Sequence, residues 1–349
     1  LVPHDPDFDG EASRITGSKR EGGLIQMDFV QIFSLTITQA VGVTALIYLF
    51  AAIGLNVQFG YTGLLNFGQV AFVAAGAYAV GVIVLTFDLG LWLAGVVGVV
   101  VSTLLALLLG IPTLRLRADY LAIVTIAASE LLRLLVRSIA FKDVFGGAQG
   151  LNGKLGQEFH DLNPLPADFT LPVLTWSRQD LWVVIVGWSL ALLFTLLVWG
   201  LVRSPWGRVV KGIREDEDAV VSLGKNVFVY KMQALIIGGG IAAFGGILWA
   251  VAKQSVQPDT FQPDFTFFVY TILLLGGAAR VFGPIAGTII FWFLLAGFGE
   301  LLSSLINNGY IEFLPPTDVG SIRFMLMGLG LMLLMIFRPQ GIFGDRREL

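Results

Sequence analysis

The stretch LWVVIVGWSLALLFTLLVWGLV, residues 181–202, decides the fold of this chain. It carries no charged residue, and a helix of about 20 such residues is as long as the hydrocarbon core of a bilayer is thick. The composition agrees, since 56% of the 349 residues are hydrophobic and only 13% are charged, whereas soluble domains carry about 25% charged residues. Apolar segments of this length must be helices, because backbone groups in hydrocarbon need partners within the chain.

Eight further segments have the length and hydrophobicity of a membrane span. We therefore predict an all-α polytopic integral membrane protein with about nine to ten transmembrane helices. One or two are expected to be broken or re-entrant, and the glycine-rich region after Ile53 is the favoured place. Nine complete crossings would put the basic Lys19 and Arg20 on the side opposite the basic C-terminus. The eight segments are residues 29–56, 64–87, 91–111, 120–139, 232–251, 265–279, 281–299 and 319–337.

The charges between the spans predict an orientation. Arg338, Arg346 and Arg347 follow the last span, so the C-terminus is expected in the cytoplasm by the positive-inside tendency. If each segment crosses the membrane once, counting the crossings back from the C-terminus puts the basic segment 203–231 in the cytoplasm and the long segment 140–180 on the extracytoplasmic side. The predicted division of the chain is a polar flexible leader at 1–28, a transmembrane domain at 29–338 and a cytoplasmic tail at 339–349.

The cytoplasmic segment SPWGRVVKGIREDEDAVVSLGKNVFVYK, residues 204–231, has signals for helix starts and stops. Ser204 before a proline predicts a helix start, at which the serine hydroxyl accepts a free backbone N–H. Gly224 predicts a helix end. Gly207 and Gly212 each weaken a helix by about 1 kcal/mol relative to alanine, so two short helices are expected rather than one long helix.

The charge run from Arg214 to Asp218 in this segment has two interpretations. It is either an ordinary solvated face, with Arg214 and Asp218 paired one turn apart, or a docking knob for a soluble protein. The sequence contains no G-x-x-x-x-G-K-[ST] phosphate loop. Energy for uphill transport would therefore come from an ion gradient or from a separate ATPase.

Two stretches, residues 54–79 and 273–289, interrupt the apolar sequence with glycine and polar residues. Such interruptions either line a substrate path or let helices pack closely. The first stretch concentrates polar side chains that would be costly against lipid, and we place Tyr61, Asn66 and Gln69 in a candidate substrate path.

Glu130 is the fourth candidate for the substrate path. It lies about 15 Å along its helix from Tyr120, near the middle of a bilayer, with Arg133 and Arg137 on the same helix face. The alternative is an acid neutralised by Arg133 near the outer end of the helix, with both arginines reaching water. An ion-coupled carrier would be expected to have several deep acidic residues, and Glu130 is the one plausible candidate.

Several blocks of this sequence resemble the LivM-type permeases, the membrane subunits of high-affinity branched-chain amino acid ABC importers. Besides residues 204–231, they are GYTGLLNFGQVAFVAAGAYA (60–79), DYLAIVTIAASELLRL (119–134), GGAQGLNG (146–153) and FRPQGIFG (337–344). The resemblance covers about residues 53–344. The chain departs from the family pattern at Lys225, where the family usually has isoleucine, and at Ala278 to Arg280. Importers of urea and short-chain amides share the architecture, so urea or a short-chain amide is an alternative substrate. A stand-alone ion-coupled carrier or channel is the alternative to an importer subunit.

The resemblance implies a subunit of the bacterial inner membrane that works by alternating access. It implies a LivH-like partner permease, two cytosolic ATPases of the LivG and LivF kind and an extracytoplasmic solute-binding protein, in contact with membrane lipid and without nucleic acid. ATP would be bound by the partner subunits, with no cofactor, metal or catalytic residue in this chain, which has no cysteine. The coupling element that seats in the ATPase would comprise Gly212, Arg214, Glu215, Asp216, Glu217 and Ala219.

Overall fold

The computed structural model describes residues 29–116, 118–170, 175–307, 315, 318–337 and 342. The predicted leader at 1–28 lies outside the described residues, as does the tail at 339–349 except for Ile342. Over the described part the chain is an all-α bundle, as predicted, with β-structure confined to two-residue strands.

The helices follow the predicted apolar segments closely. In chain order they are α1 Phe29–Ala40, α2 Val43–Leu55, α3 Gln69–Leu85, α4 Leu91–Thr113, α5 Ala118–Arg137, α6 Lys142–Phe145, α7 Gln157–Asp161, α8 Arg178–Arg203, α9 Pro205–Glu215, α10 Glu217–Ser222, α11 Val227–Lys253, α12 Pro263–Gly276, α13 Gly283–Asn307 and α14 Val319–Phe337. The strands form two antiparallel pairs, β1 Leu151–Asn152 with β4 Ser255–Val256 and β2 Phe169–Thr170 with β3 Thr175–Trp176.

By length and composition, five helical runs of the described chain are able to cross a membrane. They are α4, α8, α11, residues 283–306 and residues 32–61, the last of which includes the break between α1 and α2 described below. Helices α3, α12 and part of α14 are apolar but shorter. Helix α5 is as long as a span and carries Glu130, Arg133 and Arg137. These helices make the chain a multi-pass membrane protein.

The predicted segment 29–56 is two helices that run in opposite directions. Helix α1 is parallel to α13 and α2 is antiparallel to it, so the chain reverses at Val41 and Gly42, a break that the sequence did not reveal. Trp188 Nε1 donates to the Val41 carbonyl at 2.9 Å. This side chain therefore supplies a hydrogen-bond partner for a backbone carbonyl at the break between the helices. The contacts with α13 that fix the directions are Phe33 with Phe293, Gln39 with Glu300 and Tyr48 with Trp292.

The predicted break after Ile53 is present. Helix α2 continues into a π-helical turn, Asn56–Tyr61, and residues 63–68 are not helical before α3 begins. Buried hydroxyls supply some of the backbone partners that a helix would have provided: Phe67 N–H donates to Thr125 Oγ1 and Val70 N–H to Thr266 Oγ1, both at 3.1 Å. Irregular backbone is tolerated at membrane depth when it is buried in protein in this way.

Glycines allow α11 to lie against α2 and α3 at the centre of the bundle. A Cβ added at Gly54 would lie 2.2 Å from the Gly238 carbonyl oxygen, and one at Gly246 would lie 1.8 Å from the Val73 carbonyl oxygen. No side chain fits at such distances, so the small residues here serve close helix packing.

The loops gather at two ends of the bundle. At one end, β1 of the segment 140–180 pairs with β4, which follows α11. At the other end lie the π-helical turn, the helices α9 and α10, and the start of α13. Ile342 belongs to this second end, because its N–H donates to the Leu275 carbonyl near the end of α12 at 3.0 Å.

Candidate functional site

Helices α9 and α10 form the predicted pair of short helices. Asp216 separates them in an extended conformation, and its Oδ1 accepts from Ala219 N–H at 3.0 Å to cap α10. Gly224, with φ +74°, follows α10 and bears out the predicted helix end. Serine capping of α9 is wrong, because the Ser204 hydroxyl donates to the Leu201 carbonyl in the last turn of α8 at 2.6 Å.

A small apolar cluster holds α9 and α10 against the start of α11. Ile213, Val220 and Val227 are buried together, one from each helix. Lys231 on α11 forms an ion pair with Glu217, the first residue of α10. The pair is therefore fixed to α11 and is not a loose loop.

Arg214 connects this helix pair to the interrupted membrane segment. Its Nη1 donates to the Gly60 carbonyl oxygen at 2.6 Å. Gly63, which has φ +74°, passes close to the same side chain, since a Cβ there would lie 3.3 Å from Arg214 Cγ. The interpretation in which Arg214 pairs with Asp218 is wrong, because the helix ends at Asp216 between them and the guanidinium turns toward the membrane segment.

The opposite face of the α9–α10 pair points away from the bundle. It combines carboxylates with apolar side chains, among them Leu223, which is 78% exposed, and Val221, which is 53% exposed. An apolar patch beside acidic residues is suited to protein docking. Of the predicted coupling residues, Asp216 and Ala219 are exposed, whereas Glu215 and Glu217 line a cleft with Thr62 of the interrupted segment and Lys231 of α11. Gly212 is half-buried, and Arg214 reaches inward.

Asn56 joins the two interrupted stretches, and the sequence reasoning missed it. Its Oδ1 accepts from Ala279 N–H at 2.9 Å, and its Nδ2 donates to the Arg280 carbonyl at 2.8 Å. The side chain is 1% exposed. The available signal was an amide at the end of a long apolar run. A buried amide must form hydrogen bonds, and backbone groups outside a regular helix can provide them.

Asn66 and Gln69 lie together in a buried amide cluster with Gln58. Asn66 Nδ2 donates to Gln58 Oε1 at 2.8 Å and to Gln69 Oε1 at 3.1 Å, while Asn66 Oδ1 accepts from Gly68 N–H at 2.9 Å. The other ends of the glutamines bond to the Leu235 and Ala51 carbonyls. The cluster therefore ties α2, α3 and α11 to the irregular stretch between them.

Tyr61 and Glu130 lie apart from this cluster and from each other. The Tyr61 ring is buried, and Lys211 Nζ of α9 lies 5.9 Å from its centroid. Glu130 pairs with Arg133 at 2.6 Å. Asp259 receives bonds from Arg133 and Arg137, both at 2.9 Å, in the loop after α11. The four predicted path residues thus occupy three places.

In the part of the chain that the structure describes, no group of three or more histidine, cysteine or acidic residues is arranged to hold a metal ion.

The family model of the branched-chain amino acid transport system permease component matches residues 37–337. The chain belongs to this family. The matched residues include the α9–α10 pair, the amide cluster and Asn56. The resemblance to LivM-type permeases is confirmed.

Curated relatives agree with the assignment of this permease. The LivM high-affinity branched-chain amino acid permease protein of Salmonella typhimurium is 30% identical over 316 residues, which is 85% of this chain and 68% of the relative. The Escherichia coli protein of the same name is 30% identical, over 87% and 69% of the two chains. A probable LivM permease of Methanocaldococcus jannaschii is 24% identical over 86% and 91%.

Proposed function

We propose that this chain is the permease subunit of an ABC importer in which separate ATPase subunits drive alternating access through the α9–α10 pair. The partners would be a LivH-like permease, two LivG/LivF-like ATPases and an extracytoplasmic solute-binding protein. The chain would lie in a bacterial inner membrane with segment 203–231 and the C-terminus in the cytoplasm.

The hydrogen bond from Arg214 to the Gly60 carbonyl is the single observation that carries the coupling role. The α9–α10 pair offers an exposed acidic and apolar face on one side and holds the membrane segment on the other. A force applied to the exposed face would be transmitted to the π-helical turn, which is a break in the regular hydrogen bonding of a spanning helix. A chain of direct contacts of this kind can carry coupling between two sites.

The opposite end of the bundle fits the docking of a solute-binding protein. The described residues of segment 140–180 fold into short elements that are anchored to the loop after α11 by the β1–β4 pair. Asp259 further ties this loop to Arg133 and Arg137 of α5. A docked protein would thus contact an ordered surface that connects directly to two spans.

The cargo proposed is a branched-chain amino acid, after the names of the relatives. Urea or a short-chain amide remains the alternative cargo. The ion-coupled carrier is less favoured, because the one deep acidic candidate, Glu130, is engaged with Arg133. A binding profile of the associated solute-binding protein would separate the two cargo classes.

Uptake by proteoliposomes that contain the complete transporter tests the proposal. We expect leucine uptake to require ATP and the binding protein, and to persist when the proton gradient is dissipated. Uptake that continues without ATP and collapses with the proton gradient would replace the importer with a carrier.

A further inference from the structure

A basic cleft lies beside the α9–α10 pair, between the end of α8 and the start of α13. Its volume is about 460 Å³, and Arg203, Lys211 and Arg280 line it from three different parts of the chain. Among the described residues, its lining includes no carboxylate. We propose that this cleft binds the phosphate group of an anionic phospholipid from the leaflet on the α9–α10 side.

The cations of the cleft are placed for an anionic ligand. The Arg203 guanidinium lies 4.0 Å from the centroid of the Trp199 ring, and Lys211 Nζ lies 5.9 Å from that of Tyr61. Neither Arg203 nor Lys211 takes part in any ion pair within the described chain. Clustered positive charges repel one another, and a phosphate that accepts several charge-assisted hydrogen bonds relieves this repulsion.

The first turn of α13 adds to the positive potential. Gly283 and Ala286 of this turn line the cleft. The start of a helix carries a partial positive charge, and this field acts on the cleft even though Gly283 N–H and Ala286 N–H already donate to the Arg280 and Phe282 carbonyls. This turn therefore reinforces the site that the three basic side chains define.

The rim of the cleft is apolar, which favours a lipid over a free anion. Phe282 is 57% exposed and Trp199 is 40% exposed, and both line the cleft. The cleft also lies at headgroup depth, because Gly283 begins a helix of 25 residues, whose length of about 37 Å exceeds the hydrocarbon core. Basic pockets between spans with interfacial tryptophan suit phospholipid head groups.

Native mass spectrometry of the assembled transporter tests this site. The test variant is Arg203→Gln with Lys211→Gln, and the matched control is Arg208→Gln with Lys225→Gln, which removes the same charge from the same segment outside the cleft. The probes are dioleoylphosphatidylglycerol, dioleoylphosphatidylcholine and inorganic phosphate. Retention of both ATPases confirms assembly, and the single variant Lys211→Gln replaces the double variant if assembly fails.

We expect the test variant to weaken phosphatidylglycerol binding about tenfold or more while the control keeps it, since each basic residue near a membrane surface contributes to anionic lipid affinity. Phosphatidylcholine should bind equally to both, and inorganic phosphate should not displace phosphatidylglycerol. Equal phosphatidylglycerol binding in the test and control variants would overturn the site. Displacement of phosphatidylglycerol by inorganic phosphate would show that the cleft binds free phosphate, which would contradict a lipid ligand. The proposal takes the leaflet and the ATPase subunits of the assembly from the proposed function, but the lipid binding itself is measured without transport, so failed ATP-driven uptake would leave the lipid result standing.

Discussion

Asn66 is the residue at which the substrate-path hypothesis and close packing make different predictions. Its amide is buried with Gln58 and Gln69, and both its oxygen and its nitrogen already bond to protein. The sequence placed Asn66 and Gln69 in one candidate path with Tyr61 and Glu130, and the structure brings only Asn66 and Gln69 of these four together. The sequence did not show their bonding, because hydrogen-bond partners such as the Leu235 carbonyl come from a distant helix. The path assignment stays a prediction.

Replacing Asn66 with alanine separates the two roles. The change leaves Gln58 Oε1, Gln69 Oε1 and Gly68 N–H without their partner, and each unsatisfied buried group costs about 1 to 3 kcal/mol. We expect a lower melting temperature of the purified transporter. Asn152→Ala, at the exposed end of β1, is the control and should melt as wild type. Impaired uptake at an unchanged melting temperature would instead support the substrate path.

At the scale of elements, α11 determines where the interrupted segment lies. The sequence predicted this helix from its apolar run and left open whether the glycines of residues 54–79 serve a path or packing. The structure gives packing as the role of Gly54 and Gly76, which face the carbonyl oxygens of Gly238 and Ala243 on α11. Single-sequence patterns do not reveal such contacts, because they depend on which helices become neighbours.

Gly246 of α11 tests this close packing. A Cβ at Gly246 would lie 1.8 Å from the Val73 carbonyl oxygen, whereas a Cβ at Gly240 of the same helix meets nothing within 4 Å. We expect Gly246→Ala to destabilise the subunit by about 1 to 3 kcal/mol, because the helices must separate. The destabilisation is measured by heating the purified protein and using size-exclusion chromatography to follow the loss of folded subunit. The account of α11 would be wrong if Gly246→Ala and Gly240→Ala melted alike.

At the scale of the whole molecule, the reversal at Val41 and Gly42 is a break at a place that the sequence did not indicate. It divides the first of the nine predicted apolar segments into two helices, which would make ten crossings if each resulting segment spans the membrane once. An even number of crossings would put both termini on one side, in agreement with the basic Lys19 and Arg20 of the leader. Hydropathy did not locate this turn, because its residues are as apolar as the helices they join.

Cysteine labelling tests the orientation directly, since the chain has no cysteine of its own. We expect a membrane-impermeant maleimide to label Lys154→Cys in intact cells. Arg208→Cys, at an exposed position of α9, should react only after permeabilisation. Labelling of Arg208→Cys in intact cells would reverse the proposed orientation.

The number of leucine molecules transported per ATP hydrolysed tests the central claim, that α9 and α10 pass the work of the ATPases to the π-helical turn. The variant is Arg214→Met, and the control is Arg208→Met, an exposed arginine of the same helix. Coupling energies of 1 to 3 kcal/mol predict that Arg214→Met lowers the ratio by about fivefold or more, with ATP hydrolysis and assembly retained. A ratio equal to that of the control would contradict the claim.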